Sequence, residues 1–334
     1  MTLPDSTTGL LLCNLGTPDA PTPAALRRYL GQFLGDPRVV EIPPAVWKPL
    51  LHGVILRLRP ARSAAKYRSI WTAEGSPLAV WTKKQAVRLG GWLDQSGHAV
   101  EVRDAMRYGQ PAIAQQLDAL VAAGARRILV LPLYPQYSGT TTASIYDAVG
   151  AWSRAQRDLP DLRIVARYHD HPAYIAALAQ RIRAYWREHG RAPLLVMSFH
   201  GIPARNVALG DPYERECRRT GELLAQALEL EPDQWKLTFQ SRFGGARWLE
   251  PYTEPTLIAL ARGGLERVDV ACPGFTGDCL ETLAEIDQEA RAAFLQAGGK
   301  QFGYIPCLND SPGWIAALGH IALQQLAGWT TAAH

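Results

Sequence analysis

The chain has 334 residues, 47% of them hydrophobic and 20% charged, a globular composition long enough for two domains and unlike a disordered chain. Its net charge of +4 is mild and comes without a basic block, so no nucleic-acid partner is expected. No apolar run reaches the ~20 residues that span a bilayer, and MTLPDSTTGLLLCNLG lacks the basic stretch of a signal peptide; a cytoplasmic protein is expected.

The first predicted element is the buried strand of LLLCNLGTP (10–18), which breaks at Gly-x-Pro. Residues 20–80 follow, rich in aromatics, leucine and arginine. Within them, residues 46–58 are apolar with Lys48, Arg57 and Arg59 around them. That pattern suits peripheral contact with the inner face of a membrane or, equally, a buried helix covering the core. AMRYG (105–109) ends a second strand, IAQQLDALVAAG has helical periodicity, and GARRILVLPLY (124–134) is a third strand. SGTTTAS (138–144) reads as an anion site at a helix start or as a helix cap. YHDHP (168–172) reads as a structural loop, and YIAALAQRIRAYWREHG as another helix.

LLVMSFHGIP (194–203), QSRFG (240–244) and GLERVDVACPGF (264–275) then repeat the three strand phrases in the same order. The first two phrases lie about 49 residues further apart in the first half, which puts an insertion somewhere in 20–80. Three matched phrases in one order imply a duplication. The expected fold class is α/β: two similar Rossmann-like domains, each a parallel sheet with helices on both faces, and an active site in the cleft between them. The expected domains are 1–155 with a lip insertion around 20–80, then 156–312, then a C-terminal helix at 313–334 that packs back on the first domain. No heptad seam marks an oligomer interface.

Aligning NL-GTP with SFHGIP leaves one extra residue in the second half, His200, where a strand ends. A later strand of the same half runs into CPGFTGDCLETLAEIDQEA (272–290), which stacks Glu281, Glu285 and Glu289 four apart. Like charges at that spacing cost a few tenths of a kcal/mol each on a helix. On a helical wheel Leu283, Ile286, Ala290 and Phe294 form a buried arc and the glutamates a free one, and Asp278 with Glu281 has the spacing of a capping box. A solvated face is one reading. The other sets imidazole and carboxylates at one crevice, a ligand set for a borderline divalent metal and equally a set of proton acceptors.

The five cysteines, Cys13, Cys217, Cys272, Cys279 and Cys307, never form CxxC, so neither a disulfide framework nor a zinc site is expected, and Cys272 and Cys279 read as small buried residues. No GxGxxG follows a strand, and GxxxxGK[ST], HExxH and GxSxG are absent.

The phrases NLGTP, GSPLAVWT, MRYG, LYPQYSGTTTAS, SFHGIP, GDPYERE, FQSRFGGARWLEPYTEP and FTGDCLETLAEID resemble a ferrochelatase of the protoporphyrin type, from about Gly9 to the C-terminal helix. The resemblance implies a chelatase-like fold and insertion of Fe(II) into protoporphyrin IX, the last step of haem biosynthesis. It carries the catalytic and metal-holding roles onto His200 and Glu281, and an acidic path onto Asp278, Glu285 and Glu289. It assigns a porphyrin pocket to Leu15, Arg107, Tyr108, Tyr134, Ser198 and Phe239, and implies a π-distorted acidic helix. Phe239 stands where many members have Trp, and Cys279 where some have His. Only Cys307 remains of the C-terminal cysteine cluster of some relatives, so no iron-sulfur cluster is expected, since one needs about four cysteine ligands. Iron is expected as a substrate, and no permanently bound cofactor is expected. The rival readings are a chelatase for coproporphyrin III, a cobalt chelatase, or a non-catalytic porphyrin or haem carrier.

Overall fold

The computed structural model describes residues 7–329. The start of the MTLPDSTTGLLLCNLG stretch and the last five positions of the expected C-terminal helix lie outside the described residues.

The described chain falls into two compact units. The first comprises 7–134, 138–166 and 315–329; the second comprises 135–137 and 167–314.

In the first unit the order is β1 (Thr7–Gly16), α1 (Pro23–Phe33), α2 (Pro44–Leu50), a π-helical turn (Leu51–Ile55), α3 (Leu56–Ile70), α4 (Pro77–Gln95), β2 (Val100–Tyr108), α5 (Ile113–Ala122), β3 (Ala125–Pro132), α6 (Thr142–Ala155) and β4 (Asp161–Ile164). The four parallel strands lie in the order β2-β1-β3-β4. The core between sheet and helices is Leu11, Cys13, Ala105, Leu117, Ile128, Val130, Ile145 and Trp152. β4 pairs with β3, so the first unit runs past the expected boundary at 155 to 166; DLRI is too short and too half-exposed to announce itself. Residues 315–329 group with this unit. Arg163 donates to the Ala327 carbonyl at 3.0 Å, and Arg127 to the Trp329 carbonyl at 3.1 Å.

The second unit has α7 (Pro172–His189), β5 (Leu195–His200), α8 (Ala204–Ala208), α9 (Tyr213–Ala227), β6 (Trp235–Gln240), α10 (Thr253–Arg262), β7 (Arg267–Ala271), a π-helix (Glu281–Ala290), α11 (Arg291–Gln296) and β8 (Gln301–Tyr304), and α12 (Pro312–Gln325) begins at its end. Its parallel strands take the order β6-β5-β7-β8, the first sheet's order shifted by four. Here the core is Val196, Leu257, Val268, Val270, Ile286, Phe294 and Phe302.

The duplication is therefore visible in topology, and the insertion as α1 to α3. Within it, Leu51, Leu56, Ala64, Tyr67 and Ile70 are buried, whereas Val46 is 63% and Leu58 72% exposed, with Leu50 and Val54 exposed between them. The segment both covers the core and presents an outer apolar stripe.

The repeated Gly-x-Pro phrase has a steric cause. Gly16 adopts φ +116°, and a Cβ on it would stand 1.7 Å from the Tyr108 carbonyl oxygen; one on Gly201 would stand 2.9 Å from that of Gln240. In each unit only glycine lets the neighbouring strand pass so close. The RYG and RFG phrases, by contrast, are not in register. Arg107 and Tyr108 still belong to β2, while Arg242 and Phe243 lie beyond the end of β6.

Candidate active site

β5 is a central strand, flanked by β6 and β7, and its last residue, His200, pairs with Gln240 of β6. His200 Nδ1 lies 2.6 Å from the Gly201 carbonyl oxygen, which can only accept, so Nδ1 carries the proton and Nε2 presents its lone pair. The half-buried ring has Trp248 and Phe275 beside it, with centroids 6.5 and 6.4 Å away. Burial pushes the imidazole below its ordinary range, outweighing the Glu281 carboxylate and the Gly201 carbonyl, which raise it. A neutral imidazole with a free nitrogen, in the field of one carboxylate, can accept a proton or ligate a divalent metal.

Glu281 opens the π-helix. A wheel with an α-helical step puts all three glutamates on an outer arc; the wider turn instead half-buries Glu281 and Glu285 and leaves Glu289 exposed. Ile286, Ala290 and Phe294 join the core, and Leu283 packs against it. The ladder thus grades from the interior to solvent. Ser241, at φ +68°, turns its hydroxyl onto Glu285 Oε2. Such a backbone is unusual for a residue with a side chain and concentrates at functional loops.

Asp278 does not share that course. Its Oδ2 accepts from Asn309 Nδ2 at 2.7 Å, and its Oδ1 from the Cys307 N–H at 3.1 Å and from the Tyr304 hydroxyl. The carboxylate is a buried anchor for the 304–309 segment. Nor does the expected capping box form. The π-helix start has no side-chain cap, and the Thr282 hydroxyl instead accepts from the Cys279 N–H at 2.9 Å.

The six expected porphyrin-pocket residues divide between the units: Leu15, Arg107, Tyr108 and Tyr134 in the first, Ser198 and Phe239 in the second. Ser198, Phe239 and Tyr108 are buried. Leu15, Arg107 and Tyr134 keep some exposed surface. The Tyr108 hydroxyl and Arg107 Nη2 both donate to Asp36 Oδ2 at 2.7 Å, and the Ser144 hydroxyl does so at 2.6 Å. Sequence reasoning misses Asp36 and Ser144, as it does Gln240, Ser241, Trp248 and Phe275, although all but Asp36 sit in the phrases that carry the family resemblance or the repeat. Ser144 also answers for part of SGTTTAS: its hydroxyl goes to Asp36, and Thr141, the residue before α6, makes no side-chain cap. In YHDHP, His171 Nδ1 accepts from the Ala173 N–H and starts α7, while His169 lies 3.5 Å from Glu216.

All five cysteines are free and buried, and burial pushes their thiols up. Among the described residues no group of three or more His, Cys, Asp or Glu is arranged to hold a metal ion. No helix among the described residues is long and apolar enough to cross a membrane.

Solved structures show the same fold. The Bacillus subtilis protein SirB, described with Fe3+, matches 96% of this chain and 96% of its own with a TM-score of 0.55 at 13% identity. CbiX, described as the terminal enzyme of sirohaem biosynthesis in denitrifying bacteria, matches 94% of this chain and 98% of its own with a TM-score of 0.50 at 15% identity. A protein of Polaromonas sp. named ferrochelatase is 66% identical over 98% of this chain and 89% of its own length. Another of that name, from Methylibium petroleiphilum, is 65% identical over 96% of this chain and 89% of its own. The ferrochelatase family model matches residues 7–326. With that span, and with relatives so similar along nearly their whole length, the chain belongs to the ferrochelatase family.

Proposed function

We infer that this chain is a metal chelatase that inserts Fe(II) into protoporphyrin IX to give protohaem and two protons, and that His200 and Glu281 carry the reaction. Family membership carries the activity. The pairing of a neutral His200, its Nε2 lone pair free, with Glu281 at the head of a graded carboxylate ladder carries the residue roles.

Two pyrrole N–H protons must leave as the metal enters, so the ring needs a neutral base at its nitrogens. His200 Nε2 is that base: it takes a pyrrole proton and, between transfers, holds iron with Glu281. A loose two-group site suits a metal that must be surrendered to the porphyrin, whereas a resident structural zinc is held by four ligands. Glu285 and Glu289 continue the course to solvent as a hydrated path for metal in and protons out. Iron here is a substrate. No iron-sulfur cluster is part of this reading, since of the C-terminal cysteine cluster of some relatives only Cys307 remains.

The same reading gives the outer stripe of the insertion a partner. Val46, Leu50, Val54 and Leu58 are exposed at every fourth position. Around and beyond them Lys48, Arg57, Arg59, Arg62 and Arg68 are exposed, and no acidic residue occurs between Glu41 and Glu74. Apolar residues beside exposed cations fit an anionic lipid surface, the phase that holds a hydrophobic porphyrin.

The test is anaerobic insertion of Fe(II), followed by the Soret and Q-band changes, with protoporphyrin IX and coproporphyrin III side by side. Wild type turns over protoporphyrin IX, and His200→Ala loses at least about 100-fold in rate, as removal of a general base does. An unimpaired His200→Ala would sink the residue assignment, and preference for coproporphyrin III the substrate assignment.

A further inference from the structure

Gln240 is the last residue of β6 and pairs with His200. Every polar group it owns other than its main-chain N–H is engaged at the site. Its carbonyl accepts from the Gly201 N–H at 2.8 Å, holding the residue whose own carbonyl takes the His200 Nδ1 proton. Its side-chain Nε2 donates to the Glu281 carbonyl at 2.8 Å, at the first turn of the π-helix. Its Oε1 accepts from the Ser198 hydroxyl at 2.7 Å and from Cys272 Sγ at 3.7 Å. The Ser198 hydroxyl in turn lies 2.8 Å from that of Thr253, which donates to Thr238 at 2.9 Å. Gln240 is 6% exposed, so the orientation of its amide is set by this chain of bonds and not by solvent.

We propose that Gln240 is the positioning residue of the reaction: its main-chain carbonyl holds Gly201 behind the His200 imidazole, and its side-chain amide, braced by Ser198, holds the main chain behind the Glu281 carboxylate, so that one residue sets the spacing between the two groups. This rests on the roles given to His200 and Glu281 under the proposed function.

The physical reason lies in how the two groups are mounted. His200 rides on a strand inside the sheet, whereas Glu281 rides on the first turn of a helix reached through the loop after β7. The Ser241 hydroxyl on Glu285 ties the end of β6 to the next turn of the π-helix, while the Gln240 amide is the bond at Glu281 itself, and a two-group site has no third ligand to correct an error. A displacement of about 1 Å in such a constellation costs on the order of 100-fold in rate. Glu281 needs a fixed carbonyl because its side chain hangs from the opening residue of a helix without a side-chain cap.

The experiment compares wild type, Gln240→Met, Ser198→Ala and the double variant in anaerobic Fe(II) insertion, with porphyrin affinity read separately by fluorescence quenching and folding by thermal melting. Methionine keeps length and volume and removes both amide bonds. Gln240→Met is expected to lower kcat/KM for the metal by about 10- to 100-fold, as loss of a ligand-orienting partner does, with porphyrin affinity within about twofold of wild type. Ser198→Ala is expected to show a smaller loss of the same kind, and the double variant to be no worse than Gln240→Met, because Ser198 acts through the amide.

Wild-type metal kinetics in Gln240→Met, or losses that multiply in the double variant, would overturn the proposal. A loss shared equally by porphyrin affinity and melting temperature would do the same. Should Gln240→Met not fold, Gln240→Glu carries the test: its carboxylate still accepts from Ser198 and cannot donate to the Glu281 carbonyl, so the metal defect must persist. His200→Ala and Glu281→Gln run alongside. If they are active, the site assignment itself has failed; if they are inactive while Gln240→Met is normal, only the positioning role has.

Discussion

Asp36→Ala probes whether Arg107 and Tyr108 are free to meet a ligand or are committed to the fold. Oδ2 of Asp36 receives Ser144 at 2.6 Å and Tyr108 and Arg107 at 2.7 Å, and Oδ1 receives the Arg38 N–H at 2.8 Å. The carboxylate side chain is 5% exposed and that of Arg107 22%. Breaking a buried charge pair costs about 3–5 kcal/mol, and the partial exposure of Arg107, together with the surviving Tyr108–Ser144 contact, favours the low end, about 3 kcal/mol. Asp36→Asn keeps an acceptor and should lose roughly 1–2 kcal/mol. Burial by itself would raise the Asp36 carboxyl, but bonds from Ser144, Tyr108 and Arg38 and the Arg107 charge together hold it below the usual range. The group therefore stabilises the fold above its unfolded pKa of about 3.9, and that contribution is lost as pH falls through the lower folded value. Urea unfolding at neutral and acid pH measures both effects. Asp36→Ala within about 0.5 kcal/mol of wild type at neutral pH would refute the reasoning and leave Arg107 as an uncommitted cation.

Three further outcomes are expected. Along the ladder, Glu281→Gln should lose at least about 100-fold in turnover, Glu285→Gln about tenfold and Glu289→Gln less than about threefold; equal losses would contradict a graded path. Glu216→Ala should destabilise by about 2–3 kcal/mol in urea unfolding, since that 2% exposed carboxylate takes Arg167 and the Tyr137 N–H at 2.7 Å; a neutral result would mean the 135–137 segment is held otherwise. Val54→Ser combined with Leu58→Ser should reduce cosedimentation with anionic vesicles at least about fivefold without a change in melting temperature; no binding by the wild type would remove the lipid contact.

What the sequence discloses depends on whether the cause is local. Strand phrases ending at Gly-x-Pro are legible because burial of the strand and close passage of the next carbonyl both act within a few residues. β4 is illegible at four half-exposed residues, which is why the boundary falls at 166 and not 155. The glutamates of the ladder are legible in ETLAEIDQEA, but their spacing does not separate a π-helix from an α-helix, and only the family resemblance points to the wider turn that carries them. Ser144 and Asp36 are 108 positions apart, and no pattern predicts that their side chains meet. A glutamine at a strand end is likewise silent until Ser198 and Glu281 are seen on either side of it.

The two halves make the origin of the site intelligible. Each has a central strand ending at a glycine that admits the neighbouring strand's carbonyl, Tyr108 in one and Gln240 in the other. In the first unit the polar groups there close on themselves: Arg107, Tyr108 and Ser144 are taken up by Asp36. In the second, one added residue lengthens the strand before its glycine, and the imidazole it carries has its inner nitrogen satisfied by the Gly201 carbonyl and its outer one left over. By sequence, Asp278 and Glu281 are equally close partners for that nitrogen, three residues apart at the start of one helix. Asn309, Cys307 and Tyr304 consume the oxygens of Asp278. Under the proposed function Glu281 is the carboxylate that serves His200: its carbonyl is held by Gln240, and its side chain, beside the Cys279 thiol, lies in the field of the imidazole.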